Sequence, residues 1–373
     1  MNKTELLIGT NGPEIRYRTG LTAPDEFLYL RHNNQDTVWF DSRELKIQQK
    51  NIKKQGRNTI VKPLELYIEK AKTSAFIGSR IEKIVYEILK ELNISAVQIS
   101  PELAYRWVEM LERANIKYST YNFANERLYK TAIEIKHLKK AQVITNGAFD
   151  LFKKILQESI IDGKNIIHQG KVLTSEYAQR VIKKYFLDHG YSCPHDIIIA
   201  SGNQSACPHD VGSGPLYAHE CIVVDMFPQC DATGYHADMT RTWVKGTPSK
   251  QAQQLFNDVL MAQKLAIQGI SVGKECHFVH NICTKYFTDQ GYKTSQDEGF
   301  THGVGHGLGL EIHEYPHVSN NVKTLLEPGM VFTMEPGLYY KNIGGVRIED
   351  VIVIHKDGTI ENINTYPKDF MIP

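Results

Sequence analysis

The 373-residue sequence has no C-x-x-C pair: its six cysteines stand singly between Cys193 and Cys283. That excludes a zinc knuckle and a thioredoxin-like redox motif, and leaves buried thiols as the expected role. Long apolar runs are missing too. No stretch approaches the roughly 18 uncharged apolar residues of a spanning helix, and the opening MNKTELLIGTNGPEIRYRTG carries no apolar signal core. A soluble, cytoplasmic protein is expected. Nor does one charge dominate, since 43 Lys and Arg against 42 Asp and Glu leave a formal net charge of +1. With no basic run interleaved with aromatics, neither nucleic acid nor an anionic membrane is an expected partner. Low-complexity tracts are absent as well, so a chain that is 42% hydrophobic is expected to fold throughout, as two domains.

The first of these is read as residues 1–125. Phe27 to Arg31 and Thr37 to Phe40 are short β-rich runs around the turn-like His32-Asn33-Asn34-Gln35. Ile77, Ile81, Ile84, Val85, Ile88, Leu89 and Leu92 then follow helical spacing, and a second helix is expected over about 101–114. This α/β domain holds no catalytic constellation of its own. Near Asn125 the pattern changes to a long helical segment, ERLYKTAIEIKHLKKAQVITNGAFDLFKKILQES, which opens a second domain, residues 126–373. Further helices are expected at 175–189 and 248–268, the latter with Thr247 as N-cap and Pro248 in the first turn.

Within the second domain, Lys184-Tyr185-Phe186-x-Asp188-x-Gly190-Tyr191 recurs 101 residues later as Lys285-Tyr286-Phe287-x-Asp289-x-Gly291-Tyr292. A duplicated supersecondary unit would bring equivalent hairpins face to face; the alternative is coincidence among common helix-ending residues. Each copy precedes an acidic pair. Asp225 and Asp238 stand 13 apart in VVDMFPQCDATGYHADMTRTW, Glu335 and Glu349 stand 14 apart in FTMEPGLYYKNIGGVRIED, and His306 lies between the pairs in THGVGHGLGLEIHEYP. Four carboxylates at one spot raise one another's pKa, and two divalent ions would cancel their charge. Oxygen-rich ligands with one imidazole suit Mn, Fe, Co or Zn, and two such ions can share a bridging water. Taken singly, each acid also reads as a solvated turn charge.

Other residues fit around this cluster. His302 and His306 have the i, i+4 spacing of a helical zinc site, but Gly303, Gly305, Gly307 and Gly309 would each weaken a helix by about 1 kcal/mol relative to Ala. The segment is better read as a loop or strand whose backbone approaches something closely. His209 sits in the Gly/Pro/Ser-rich loop ACPHDVGSGP, and His313 follows His306 closely. Arg347, two residues before Glu349, would offset negative charge and orient a carboxylate. Asp231 rivals Asp225, although Cys221-Ile222-Val223-Val224 makes Asp225 the end of a buried strand. Cys207 and Cys230 flank the cluster.

In this order VVDMFP, GYHADMTRT, HGVGHGLGLEIHE, MEPGLY and VRIED resemble the metallopeptidases of the pita-bread fold, specifically Xaa-Pro aminopeptidases and prolidases. The resemblance spans essentially the whole chain, with IRYRTG and PDEFLYL similar to the creatinase/prolidase amino-terminal domain. It implies an α/β fold: a pita-bread catalytic domain of two duplicated halves related by a pseudo-twofold, preceded by a smaller α/β domain. It further implies that Asp225 chelates one metal, His306 the other, and Asp238 and Glu349 bridge the pair. Glu335 would bind metal and act as general acid/base. His209 and His313 match histidines at the scissile group, His302 one lining the proline pocket, and Arg347 an arginine beside the bridging glutamate. The Asp225 to Asp238 interval is two residues longer than is common in the superfamily. Two divalent ions, Mn foremost with Co, Zn or Fe as alternatives, peptides with proline second, and a homodimer are implied. Removal of a residue ahead of proline, as an aminopeptidase, leads; an Xaa-Pro dipeptidase and a non-catalytic binding protein on the same fold stay open.

Overall fold

The computed structural model describes residues 3–295 and 297–373. The chain divides into two compact units, with the break between Asn125 and Glu126.

In the first unit six strands form one mixed sheet in the order Thr59–Pro63, Gln35–Phe40, Phe27–His32, Glu5–Gly9, Ala96–Ile99, Lys117–Thr120. Asn33 and Asn34 turn the central hairpin with φ of 51° and 60°, the left-handed pair that matches strand twist and that asparagine tolerates. Alternate residues feed opposite faces: Leu28 and Leu30 pack with Trp39 and Ile88, while Phe27 and Tyr29 pack with Val38 and Phe40. Helix Arg80–Glu91 covers the first face through Ile84, Val85, Ile88 and Leu89, and starts in a capping box of Ser79 and Glu82. Ile77, which the spacing assigns to this helix, lies before its cap and is 84% exposed.

The second unit holds two layers of like make-up. Helices Ala132–Glu158 and Ser175–Asp188 share a core with a four-stranded sheet ordered Ile198–Ser201, Ile222–Met226, Met239–Lys245, Met371–Ile372. Helices Lys250–Gly269 and Cys276–Asp289 share another with a five-stranded sheet ordered Glu314–Val318, Gly305–Gly307, Val331–Met334, Asp350–Ile354, Ile360–Asn362. The repeated motif closes the second helix of each layer in the same way. Lys184 pairs with Asp188 and Lys285 with Asp289, Phe186 and Phe287 are fully buried, and Gly190 and Gly291 leave the helix with φ of 74° and 82°. Duplication explains that match better than coincidence does.

One helix start differs from expectation. Ser249, not Thr247, caps helix Lys250–Gly269, its hydroxyl accepting the Ala252 N–H at 3.1 Å. Pro248 therefore stands outside the helix, because two hydroxyl residues compete for the cap and the nearer one takes it.

Candidate metal centre and active site

Each acidic pair sits at the strand ends of its own sheet, and the two sheets are stitched there. Asp225 lies on Ile222–Met226 between Ile198 and Thr240. Asp238 precedes Met239–Lys245, its carbonyl held by the Gln142 and Asn364 amides at 3.1 and 3.2 Å. Glu335 follows Val331–Met334, and its N–H donates to the Val304 carbonyl at 2.8 Å. Glu349 precedes Asp350–Ile354, and its N–H donates to the Thr240 carbonyl at 3.1 Å, crossing from one sheet to the other. The Thr240 hydroxyl donates to the Glu349 carboxylate at 2.7 Å, fixing its direction.

His306 is the middle residue of strand Gly305–Gly307. Its glycines answer a need for space: a Cβ on Gly305 would strike the Thr333 carbonyl, and one on Gly307 the Tyr315 carbonyl. The segment is strand and loop, so the helical zinc reading of His302 and His306 fails. His306 Nδ1 donates to the Gly307 carbonyl at 3.0 Å and turns Nε2 toward Glu335 Oε1 at 3.2 Å and Asp238 Oδ2 at 3.7 Å. His302 is committed elsewhere, its Nδ1 on the Gly303 carbonyl at 2.6 Å and its Nε2 on the Tyr339 hydroxyl at 2.8 Å. Arg347 Nη2 donates to Asp225 Oδ2 at 2.6 Å and Nη1 to the Tyr339 hydroxyl at 3.0 Å.

The electrostatics of the cluster favour a cation. Burial, then the neighbouring carboxylates, push Asp238 and Glu349 well above the usual carboxylate range. Burial also raises Asp225, although Arg347 opposes it. For Glu335 burial is outweighed by His306, His302 and Arg347, and its pKa falls to about 2. His306 resists its own burial through Glu335 and is raised. Charge on Asp238 and Glu349 is thus disfavoured by burial and by their neighbours, which a nearby cation would relieve. Asp238, His306 and Glu349 each offer a ligand atom within 4.8 Å of one another, and Asp225 Oδ1 is buried with no hydrogen-bond partner among the described residues. Converging carboxylates, one imidazole lone pair and an orphaned oxygen fit divalent cations of the Mn type.

The cluster floors a cavity of about 500 Å³. Asp225, Asp238, Glu335, Glu349, His209, His302, His306, His313 and Arg347 all line it, so the structure brings these nine together, whereas Asp231, Cys207 and Cys230 are not among its lining residues. His209 and His313 are exposed at it, and the His313 ring stands edge-on to His306, centroids 4.3 Å apart. Asp231 is exposed and does not line it, while Cys230 is buried in the core behind. Sequence reasoning missed His195, His317 and Phe227, which also line the cavity. A signal for His195 was present: Cys-Pro-His-Asp occurs twice, at 193–196 and 207–210, and the histidine of each copy faces the cavity.

Residues 136–356 match metallopeptidase family M24. An Xaa-Pro dipeptidase of Pyrococcus horikoshii is 35% identical over 301 residues, 79% of this chain and 81% of the relative. Among solved structures, an Xaa-Pro dipeptidase from Bacillus anthracis superposes with a TM-score of 0.80 at 28% identity, covering 99% of this chain and 95% of that one. An X-Pro aminopeptidase from Thermotoga maritima reaches 0.81 at 23% identity, covering 99% and 97%, a likeness of fold alone.

Proposed function

The chain belongs to metallopeptidase family M24 and has its pita-bread fold, and on that premise we propose that it is an Xaa-Pro dipeptidase, cleaving between a residue and a C-terminal proline. The sequence puts the aminopeptidase first. The dipeptidase takes precedence here because the relatives at 28% and 35% identity both carry that name.

In this reading Asp225, Asp238, His306, Glu335 and Glu349 hold two divalent ions, with Mn as the native pair. Such ions supply Lewis acidity toward the scissile carbonyl and lower the pKa of water. Arg347 occupies one oxygen of Asp225 and leaves Oδ1 for the ligand role. Glu335 would take a proton from the attacking water and deliver it to the departing nitrogen. His313 donates to the carbonyl oxygen as charge grows there, and His209 attends the same group from its loop. His302, both ring nitrogens engaged, presents a ring face rather than a hydrogen bond. That suits a proline ring whose nitrogen carries no N–H. A cytoplasmic location is part of the proposal, and all six cysteines are free.

Steady-state kinetics on Xaa-Pro, Xaa-Pro-amide and Xaa-Pro-Yaa test the substrate class. The free dipeptide is expected to be cut about 100-fold or more faster, by kcat/KM, than the other two. Efficient tripeptide cleavage insensitive to amidation would overturn the dipeptidase in favour of the aminopeptidase.

A further inference from the structure

The loop joining His306 to His313 is folded round one buried carboxylate. Glu314 has a side chain only 3% exposed. Its Oε1 accepts the N–H groups of Leu310 at 3.0 Å and Glu311 at 3.2 Å. Arg127 Nε stands 3.0 Å from that oxygen, and Lys130 Nζ 2.7 Å from Oε2. Arg127 reaches on to Glu311, so two cations and two anions cancel. Gly309 lies close enough that a Cβ there would strike the carboxylate, and its carbonyl receives the His236 N–H at 2.9 Å. The cations come from the segment just ahead of helix Ala132–Glu158, itself fixed by the Lys130 N–H on the Gly329 carbonyl at 2.7 Å.

A network of this kind is a costly way to stabilise a fold. Taking Arg127, Lys130 and Glu314 out of water carries a large desolvation penalty, and apolar side chains of similar volume often serve stability as well or better. What the charges supply is a fixed place for the backbone at 309–314. His313 needs that, because its side chain is exposed and its ring keeps its station beside His306 only through the backbone it hangs from.

We propose that Glu314, clamped by Arg127 and Lys130, is a positioning residue for hydrolysis: it sets where the His313 imidazole stands relative to His306 and the substrate oxygen. The proposal rests on the role given to His313 under the proposed function.

The test is a double-mutant cycle of Glu314→Gln with His313→Ala on the metal-loaded enzyme, with metal content and KM as further readouts. Glu314→Gln is expected to lower kcat about tenfold or more while KM stays within about twofold and the metal is retained. In the His313→Ala background it is expected to add nothing, and Glu314→Asp is expected to recover part of the loss. If His313→Ala is slow but Glu314→Gln turns over normally, Glu314 has no such role while the reading of His313 stands. If His313→Ala itself turns over normally, that reading fails and takes this proposal with it. Additive losses, or metal loss from Glu314→Gln, would make the network general scaffold and overturn the proposal. Should Glu314→Gln not fold, Arg127→Gln removes one cation, leaves the carboxylate, and carries the same comparison.

Discussion

His280 shows at the scale of one residue how much this interior asks of a titratable group. It lies on helix Cys276–Asp289, its ring 5.2 Å from that of Phe300, and its Nδ1 is buried with no hydrogen-bond partner among the described residues. Burial, and after it the neighbouring His302, lower its pKa from 6.5 to about 4. Folding therefore excludes a proton that the unfolded chain takes up below pH 6.5. The stability present above that pH is lost as pH falls toward 4. In chelated protein, His280→Phe is expected to be more stable than the parent by about 1 to 2 kcal/mol at pH 5 compared with the difference at pH 7. Urea unfolding at the two pH values measures it, and parallel loss in both proteins would refute the assignment. The candidate site residues were legible as a set and not one by one: each acid stands beside a strand-like apolar run, and each glycine beside His306 argues against helix. His195 was betrayed only by the repeated Cys-Pro-His-Asp, and His317, on edge strand Glu314–Val318, had no local signature at all. The Asp225 to Arg347 pair, joined across two sheets, has no local signature either.

Helix Ala132–Glu158 bears on the site through Gln142, whose amide holds the Asp238 carbonyl. Its first turn is a capping box: the Thr131 hydroxyl accepts the Glu134 N–H at 3.3 Å, and the Glu134 carboxylate accepts the Thr131 N–H at 2.7 Å. The other Glu134 oxygen accepts the Tyr235 hydroxyl at 2.7 Å, tying the helix start to the hairpin between Asp225 and Asp238. Thr131→Ala is expected to cost about 1 kcal/mol, read as a lower urea midpoint with unchanged slope. An unchanged midpoint would show that the cap is not needed here. Elements were readable from the chain where burial repeats at 3.6 residues, as in Ile84, Val85, Ile88 and Leu89. Their ends were less so. Thr247 and Ser249 carry the same capping chemistry, and the hydroxyl adjoining the first helical residue takes the cap.

For the whole molecule, the metal centre and the fold share one free energy. Buried Asp225, Asp238 and Glu349 and the half-buried Glu335 disfavour one another's charge, so ions that bind them in the folded protein would also help hold its two sheets together. Exhaustive chelation is expected to lower the Tm by about 5 °C or more, with Mn restoring it, as scanning calorimetry would detect. Identical transitions with and without metal would mean that the cluster is not a cation site. The layered arrangement was foreshadowed by the KYF repeat, whereas the order of strands in each sheet was not, because register depends on partners remote in sequence.

The hydrogen bond from the Glu349 amide to the Thr240 carbonyl has a consequence in time as well as in space. Asp225 and Asp238 emerge from the ribosome long before His306, Glu335 and Glu349, and no early stretch of chain carries a full ligand set. A growing or half-folded molecule is on this account inert toward the peptides around it. With the proposed ligand set, hydrolytic capacity waits until the second sheet docks on the first.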